Sequence, residues 1–259
     1  MRAIDRIVVF VARWLLPKLA YPILSGPLRG KRFVLGAAAG PAGGLSIFFG
    51  RSEPEQAQEL AKALQPGGVF FDVGANVGFY TLLAADRVGA TGRVVAFEPV
   101  VRNLAWLQRH LELNRVRNAT VLPFAVSGEP GYGLFEEGDT VATGHLANTP
   151  TGKRAAVSGT PVHLTTIDAM ARLLELRPDV MKIDVEGAEA DVLRGAVETL
   201  RAARPILFLS IHSDALRDRC LAFLRELGYE ASAIGGALET ATEYHLVHGP
   251  AALGGQRTP

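Results

Sequence analysis

Two carboxylates, Asp72 and Glu98, close apolar runs rich in Val and Phe. Such runs mark strands buried on both faces. The first, Val69-Phe70-Phe71-Asp72-Val73, leads into Gly74-Ala75-Asn76-Val77-Gly78, after which a helical pattern begins. A buried strand, a glycine turn and a helix start form the geometry that holds a nucleotide-like cofactor in doubly wound α/β folds. The second run, Val94-Val95-Ala96-Phe97, ends in Glu98. Its offset from Asp72, about 26 residues, resembles the roughly 20 between a glycine turn and a ribose-binding acid in dinucleotide folds.

The residue types narrow the ligand. Asn76 stands where a dinucleotide fingerprint needs glycine for the approach of a pyrophosphate. No Gly-Lys-Ser/Thr follows, which excludes a phosphate-gripping loop. Asp72 would repel a phosphate and attract an ammonium group, directly or through water. These demands describe a ribose, an adenine-like base and a charged amino-acid tail, and S-adenosylmethionine meets all three. The competing reading makes both acids helix-capping groups at β–α junctions. Their placement on adjacent strands around one glycine turn favours the ligand.

Such residues need a frame that brings strand ends together. Gly and Pro punctuate residues 25–50, where Arg32-Phe33-Val34-Leu35 and Leu45-Ser46-Ile47-Phe48-Phe49 read as two short strands. Glu53 to Leu64 reads as a helix with Pro54 in its first turn, ended by Pro66-Gly67-Gly68. Strands at 69–73, 93–98 and 119–124 alternate with helices at 78–87 and 101–114. Residues 126–162 break the rhythm and are too long for a plain connection, so a functional insertion, small hairpin or lid is expected. Alternation resumes with a helix at 166–175, a strand at 179–184, a helix at 188–201 and a strand at 205–211. A helix at 214–227 and weaker strands at 229–234 and 243–248 complete the pattern. Repeated β-α units of this kind imply a mostly parallel sheet with helices on both faces. The expected organisation is an N-terminal segment (1–50), a cofactor-binding domain (51–249) and a frayed tail (250–259).

Lys and Arg total 27 against 26 Asp and Glu among 259 residues, a formal net charge of +1. That balance gives no support for a nucleic-acid binder. Cys220 is the single cysteine, which rules out a disulfide within the chain and fits a cytoplasmic setting. The apolar stretch of residues 1–20 carries Arg2, Arg6, Arg13 and Lys18. Its uncharged run is far below the roughly 18–20 residues a membrane span needs. It reads first as a helix packed on the domain or on a second copy, and alternatively as a basic amphipathic helix in peripheral contact with a membrane.

Three blocks occur in order: Phe71-Asp72-Val73-Gly74-Ala75-Asn76-Val77-Gly78-Phe79-Tyr80, Val95-Ala96-Phe97-Glu98-Pro99, and Met181-Lys182-Ile183-Asp184-Val185-Glu186-Gly187-Ala188-Glu189. Thr165-Thr166-Ile167-Asp168 precedes the third. Together they resemble the FkbM-type methyltransferases, a branch of the class I S-adenosylmethionine-dependent enzymes, over roughly residues 50–212. The resemblance implies an α/β Rossmann-like fold whose seven-stranded, mostly parallel sheet has one antiparallel strand. It implies that Asp72, Gly74, Asn76 and Gly78 form the cofactor turn and that Glu98 binds the ribose. By analogy with class I enzymes, the loop near Ala125 and Val126 would face the adenine. The chain departs from the family's usual acid near the end of the fifth strand, where it reads Leu209-Ser210-Ile211-His212.

Methyl transfer is an in-line displacement at a sulfonium methyl, so the protein aligns the acceptor and, for an alcohol, removes its proton. Lys182, Asp184, Glu186 and His212 all fall at C-terminal strand ends, the edge where open α/β sheets bind ligands. Asp184 is expected to orient the methionine tail or the acceptor. Glu186 is either catalytic or a cap for the helix starting near Ala188, and Lys182 could simply neutralise these two acids. His212 has an ordinary pKa suited to a general base, against a structural alternative. His110, His145, His163, His245 and His248 have no comparable context. A magnesium site would need further oxygen ligands beside Asp184, and no obvious set is displayed, so metal-independent activity is expected. The leading function is O-methylation of a small molecule, sugar or lipid-linked glycan. A dehydrogenase, a nucleic-acid methyltransferase and a catalytically weak cofactor-binding protein are the alternatives.

Overall fold

The structure is a computed structural model that describes residues 19–37, 45–137, 144–146, 159–211 and 213–249. A short antiparallel pair, β1 (Ala20–Pro22) and β2 (Arg32–Val34), precedes α1 (Leu45–Phe48) and α2 (Pro54–Ala63). Then come β3 (Val69–Val73), α3 (Phe79–Val88), β4 (Arg93–Phe97), α4 (Val101–Leu113) and β5 (Ala119–Leu122). Four strands follow: β6 (Ala125–Val126), β7 (Gly131–Glu137), β8 (Gly144–Leu146) and β9 (Thr160–Thr165). The chain continues through α5 (Ile167–Leu174), β10 (Val180–Ile183), α6 (Glu189–Arg194), α7 (Val197–Ala203) and β11 (Ile206–Ser210). It closes with α8 (Asp214–Glu226), β12 (Tyr229–Ala233) and β13 (Glu243–His248).

Seven strands form one sheet in the order β12-β13-β11-β10-β3-β4-β5, and only β13 runs against its neighbours. This is the expected Rossmann-like α/β sheet with a single antiparallel strand. The chain moves outward from β3 through β4 and β5, then restarts on the other side with β10 and β11. The crevice therefore opens above β3 and β10, at the topological switch point. A second sheet, ordered β6-β9-β7-β8, occupies much of the 126–162 segment. There β7 pairs antiparallel with both β8 and β9.

Strand alternation sorts the side chains into two layers. Phe71, Val73, Ile183, Leu207 and Leu209 face a core shared with Val192, Leu193, Leu200, Cys220 and Leu224 of α6, α7 and α8. Phe70, Val180 and Phe208 face the other, with Leu60 of α2, Leu82 and Leu83 of α3, and Ile23 and Phe33 of the N-terminal segment. Cys220 is fully buried, as a small core hydrophobe.

Local expectations fail at two places. Leu45–Phe48 is helical rather than a strand, because β2 finds its partner in β1 and the short turn of helix buries Ile47 and Phe48. The helix expected over 188–201 is broken at Gly195-Ala196. Gly195 presses on the loop after β6, where a Cβ would stand 2.2 Å from the Ser127 carbonyl oxygen. The second half restarts with its own cap. The Asp168 carboxylate accepts the N–H groups of Glu198 (3.0 Å) and Thr199 (2.8 Å). The preceding Thr166 caps α5 by accepting from Ala169 at 3.1 Å, so the Thr-Thr-Ile-Asp block is a double capping device. Residues 1–18, His212 and the tail 250–259 lie outside the described residues.

Candidate active site

The turn after β3 is built by left-handed backbone at Gly74 (φ +85°), Asn76 (φ +49°) and Gly78 (φ +89°). Gly74 is required for a second reason. A Cβ there would lie 1.9 Å from the Asp184 carbonyl oxygen, so β3 and β10 can close only over a bare backbone. The Gly74 and Ala75 N–H groups both donate to the Phe97 carbonyl, at 3.0 and 2.9 Å, which binds the turn to the end of β4.

Glu98 completes that link. Its carboxylate accepts the Asn76 N–H (2.8 Å), the Val100 N–H (2.9 Å) and the Asn103 side-chain amide (3.3 Å). Burial raises its pKa and these three hydrogen bonds oppose the rise. Glu98 thus braces the turn directly, whereas Asp72 lies on the strand that leads into it.

Asp72 is buried at the sheet surface, where Thr81 of α3 donates to it at 2.5 Å. In register, Asp72 on β3 stands beside Lys182 on β10. Lys182 is only 2% exposed; its ammonium donates to Asp184 at 2.7 Å and lies 4.6 Å from the centre of the Tyr80 ring. Burial opposes the lysine's charge, yet Asp184, Glu53 and Asp72 outweigh it and hold its pKa above the ordinary value. Burial lifts the Asp72 carboxyl to about 6 despite that lysine.

The polar row continues outward along the sheet. Tyr80 donates its hydroxyl to Glu53 at 2.6 Å, just ahead of α2. Ser210, at the end of β11, donates to Glu243 of β13 at 2.7 Å, and the Gln56 amide reaches Ser210 at 3.5 Å. Glu243 carries a pKa raised to about 7 by burial, against the pull of Ser210 and Lys182. The β11 end lacks an acid of its own, and a carboxylate stands there from the antiparallel neighbour, in register with Ser210.

Glu186 lies in the β10–α6 loop with φ +54°, but the carboxylate that gathers this loop is that of Glu189. Glu189 is fully buried and accepts the N–H groups of Val185 (3.3 Å) and Gly187 (3.0 Å), while Ala188 holds the N-cap position. Ala125 and Val126 pair as β6 with Leu164 and Thr165 of β9, and both are buried, with Val126 in the larger core. Among the described residues, no group of three or more His, Cys, Asp or Glu converges as a metal set would.

Sequence spacing brought Asp72, Gly74, Asn76, Gly78, Glu98, Lys182 and Asp184 to one sheet edge, and the structure assembles them there. It adds Tyr80, Thr81, Glu53, Ser210 and Glu243, to which the sequence reading gave no role at the site. It also gives His110, set aside among the histidines without context, two backbone partners, Val77 in this turn and Val34 in β2.

The family model described as the methyltransferase FkbM domain matches residues 72–231. The AMB antimetabolite synthetase AmbE of Pseudomonas aeruginosa is 30% identical over 70% of this chain. The hexuronic acid methyltransferase AglP of Haloferax volcanii is 26% identical over 63% of it. The chain spans only 10% and 64% of the length of these two relatives. A solved methyltransferase FkbM from Methylobacillus flagellatus is similar over 79% of this chain and 65% of its own, with 15% identity and a TM-score of 0.48. The family model covers more than half of the chain and includes the glycine turn, Glu98 and Lys182, so the chain belongs to the FkbM methyltransferase family.

Proposed function

We propose that this protein transfers a methyl group from S-adenosylmethionine to a hydroxyl of a small molecule, a sugar or a lipid-linked glycan. The observation that carries the reading is the meeting of Glu98, the glycine turn and the Lys182 row at one edge of the sheet. Glu98 can still accept from the ribose hydroxyls through lone pairs that its three present donors leave, since an ionised carboxylate offers about four such sites. The first-turn N–H groups of α3 suit the carboxylate of the amino-acid tail. Asp184 and the surrounding acids suit its ammonium, and Ala125 and Val126 border the adenine through their backbone. The sulfonium methyl then points along the row toward Ser210 and Glu243, where the acceptor would lie. The acceptor oxygen attacks the methyl carbon, the carbon–sulfur bond breaks, and a base at this edge takes the hydroxyl proton. His212 comes two residues after β11 ends and Glu243 stands beside that end, so these are the two candidates for that base, with Glu186 of the β10–α6 loop as a further acid. A glycan acceptor is favoured by the hexuronic acid methyltransferase among the relatives.

The same reading places the enzyme in a reducing, cytoplasmic setting, acting without a metal and with peripheral membrane contact through residues 1–20 as an option. No helix among the described residues is long and apolar enough to cross a membrane.

Calorimetry with S-adenosylhomocysteine and with NAD tests the donor. Heat with the first and none with the second is expected, and Glu98→Ala should weaken binding by about tenfold or more, the scale of a lost charge-assisted hydrogen bond. Absence of any heat with S-adenosylhomocysteine would refute the reading.

A further inference from the structure

His110 sits on α4, fully buried, and its ring touches two separate parts of the chain. Nδ1 lies 2.7 Å from the Val77 carbonyl oxygen, in the cofactor turn. Nε2 lies 3.1 Å from the Val34 backbone nitrogen, in β2, and Phe33 stacks on the ring at 3.7 Å. A carbonyl can only accept and a backbone N–H can only donate. The ring must therefore donate at Nδ1 and accept at Nε2, which is one tautomer of the neutral imidazole. Burial pushes its pKa down to about 4, so the neutral ring is the form present near pH 7.

The Val77 carbonyl has no partner within α3. That helix is N-capped by Gly78, and its first bond runs from the Leu82 N–H to the Gly78 carbonyl. The Val77–Gly78 peptide is gripped on both edges, its carbonyl by His110 and its N–H by the Ala75 carbonyl at 2.8 Å. Gly78 has the freedom to rotate, so a turn without the imidazole could flip this peptide and re-aim its N–H groups. The other half of the ring belongs to a different construction. Asn114, one helical turn beyond His110, accepts the Arg32 N–H at 2.8 Å and donates to the Arg32 carbonyl at 2.7 Å. Together His110 and Asn114 serve β2 as a substitute strand edge.

We propose that His110 is a positioning residue for the cofactor turn: its Nδ1–H holds the Val77 carbonyl in the orientation that binds donor, while its Nε2 contact only docks β2. This rests on the donor reading above.

Asparagine and glutamine divide the ring, because the Asn amide reaches the place of Nδ1 and the Gln amide the place of Nε2. Calorimetric titration with S-adenosylhomocysteine, alongside thermal melts, is made on the wild type, His110→Asn, His110→Gln and Asn114→Ala. All three variants should melt lower than wild type. His110→Asn and Asn114→Ala should bind within about twofold of wild type, and His110→Gln about tenfold more weakly, a difference of about 1.4 kcal/mol. Equal affinities for the Asn and Gln variants, or losses that simply follow melting temperature, overturn the proposal. If the Gln variant does not fold, the imidazole 15N spectrum of the wild type decides. An Nε2–H tautomer, or ring signals unmoved by S-adenosylhomocysteine, would also overturn it. A wild type that gives no heat at all sinks the donor reading itself, and the proposal with it.

Discussion

On the sheet face covered by α5 to α8, Phe71, Val73, Ile183, Leu207 and Leu209 meet an apolar layer, and the buried Glu189 of α6 is turned to the backbone of the β10–α6 loop. On the face under α2 and α3, the alternating positions of the same strands carry Asp72, Lys182 and Ser210, with Tyr80 and Thr81 packed over them. The first face stabilises the fold in proportion to the apolar area it removes from water. The second sets charges where their desolvation opposes their attraction, and an apolar substitute of equal volume would often be as stable. That difference assigns the two faces different work. One holds the sheet together and the other carries a polar row to the edge where the donor is proposed to bind.

The largest effect should come from breaking the second face at its centre. Lys182→Met removes the cation shared by Asp72 and Asp184, and a buried pair broken on one side costs about 3–5 kcal/mol. A denaturant titration checks this; a loss below about 1 kcal/mol would show the lysine to be solvated rather than central.

Leu193→Ala breaks the first face. Leu193 is fully buried in the larger core, and such truncations cost about 2–5 kcal/mol. Affinity for S-adenosylhomocysteine should stay within about twofold under conditions where the variant is folded. A parallel loss of affinity would erase the proposed division between the faces.

The smallest effect is one of slope. The Glu243 pKa, about 7 when folded against an ordinary 4.5, means that the folded chain holds this proton more tightly than the unfolded one. Its contribution to stability is full below about pH 4.5 and is lost as pH rises through about 7. Asp72, raised to about 6 from 3.8, acts in the same sense over a lower window. Glu243→Gln cannot titrate, so its stability should fall less than that of wild type between about pH 4.5 and 7. Unfolding midpoints across that range measure it, and an unchanged slope would place Glu243 in open solvent.

The sheet was legible because its signals are local. Val69–Val73 and Arg93–Phe97 are built on the apolar runs Val69–Phe71 and Val94–Phe97, and each strand forms within a residue of its expected bounds. Leu45–Phe48 misled because a short, mostly apolar run suits either a strand or one helical turn, and only the pairing of β2 with β1 decides. The break at Gly195 was equally silent. Its cause is a carbonyl from Ser127, distant in the chain.

Residue type and spacing by themselves determined the alternation of strands and helices, the glycine turn and the two acids that flank it. Each depends on side-chain period or turn chemistry over a few residues. Tertiary structure alone decided that Glu53, Tyr80 and Glu243 would join Lys182, that an acid from β13 would stand beside Ser210, and that His110 would hold Val77. These contacts follow from strand order and register, which bring together residues far apart along the chain, and no local pattern encodes which distant partner a strand end will meet.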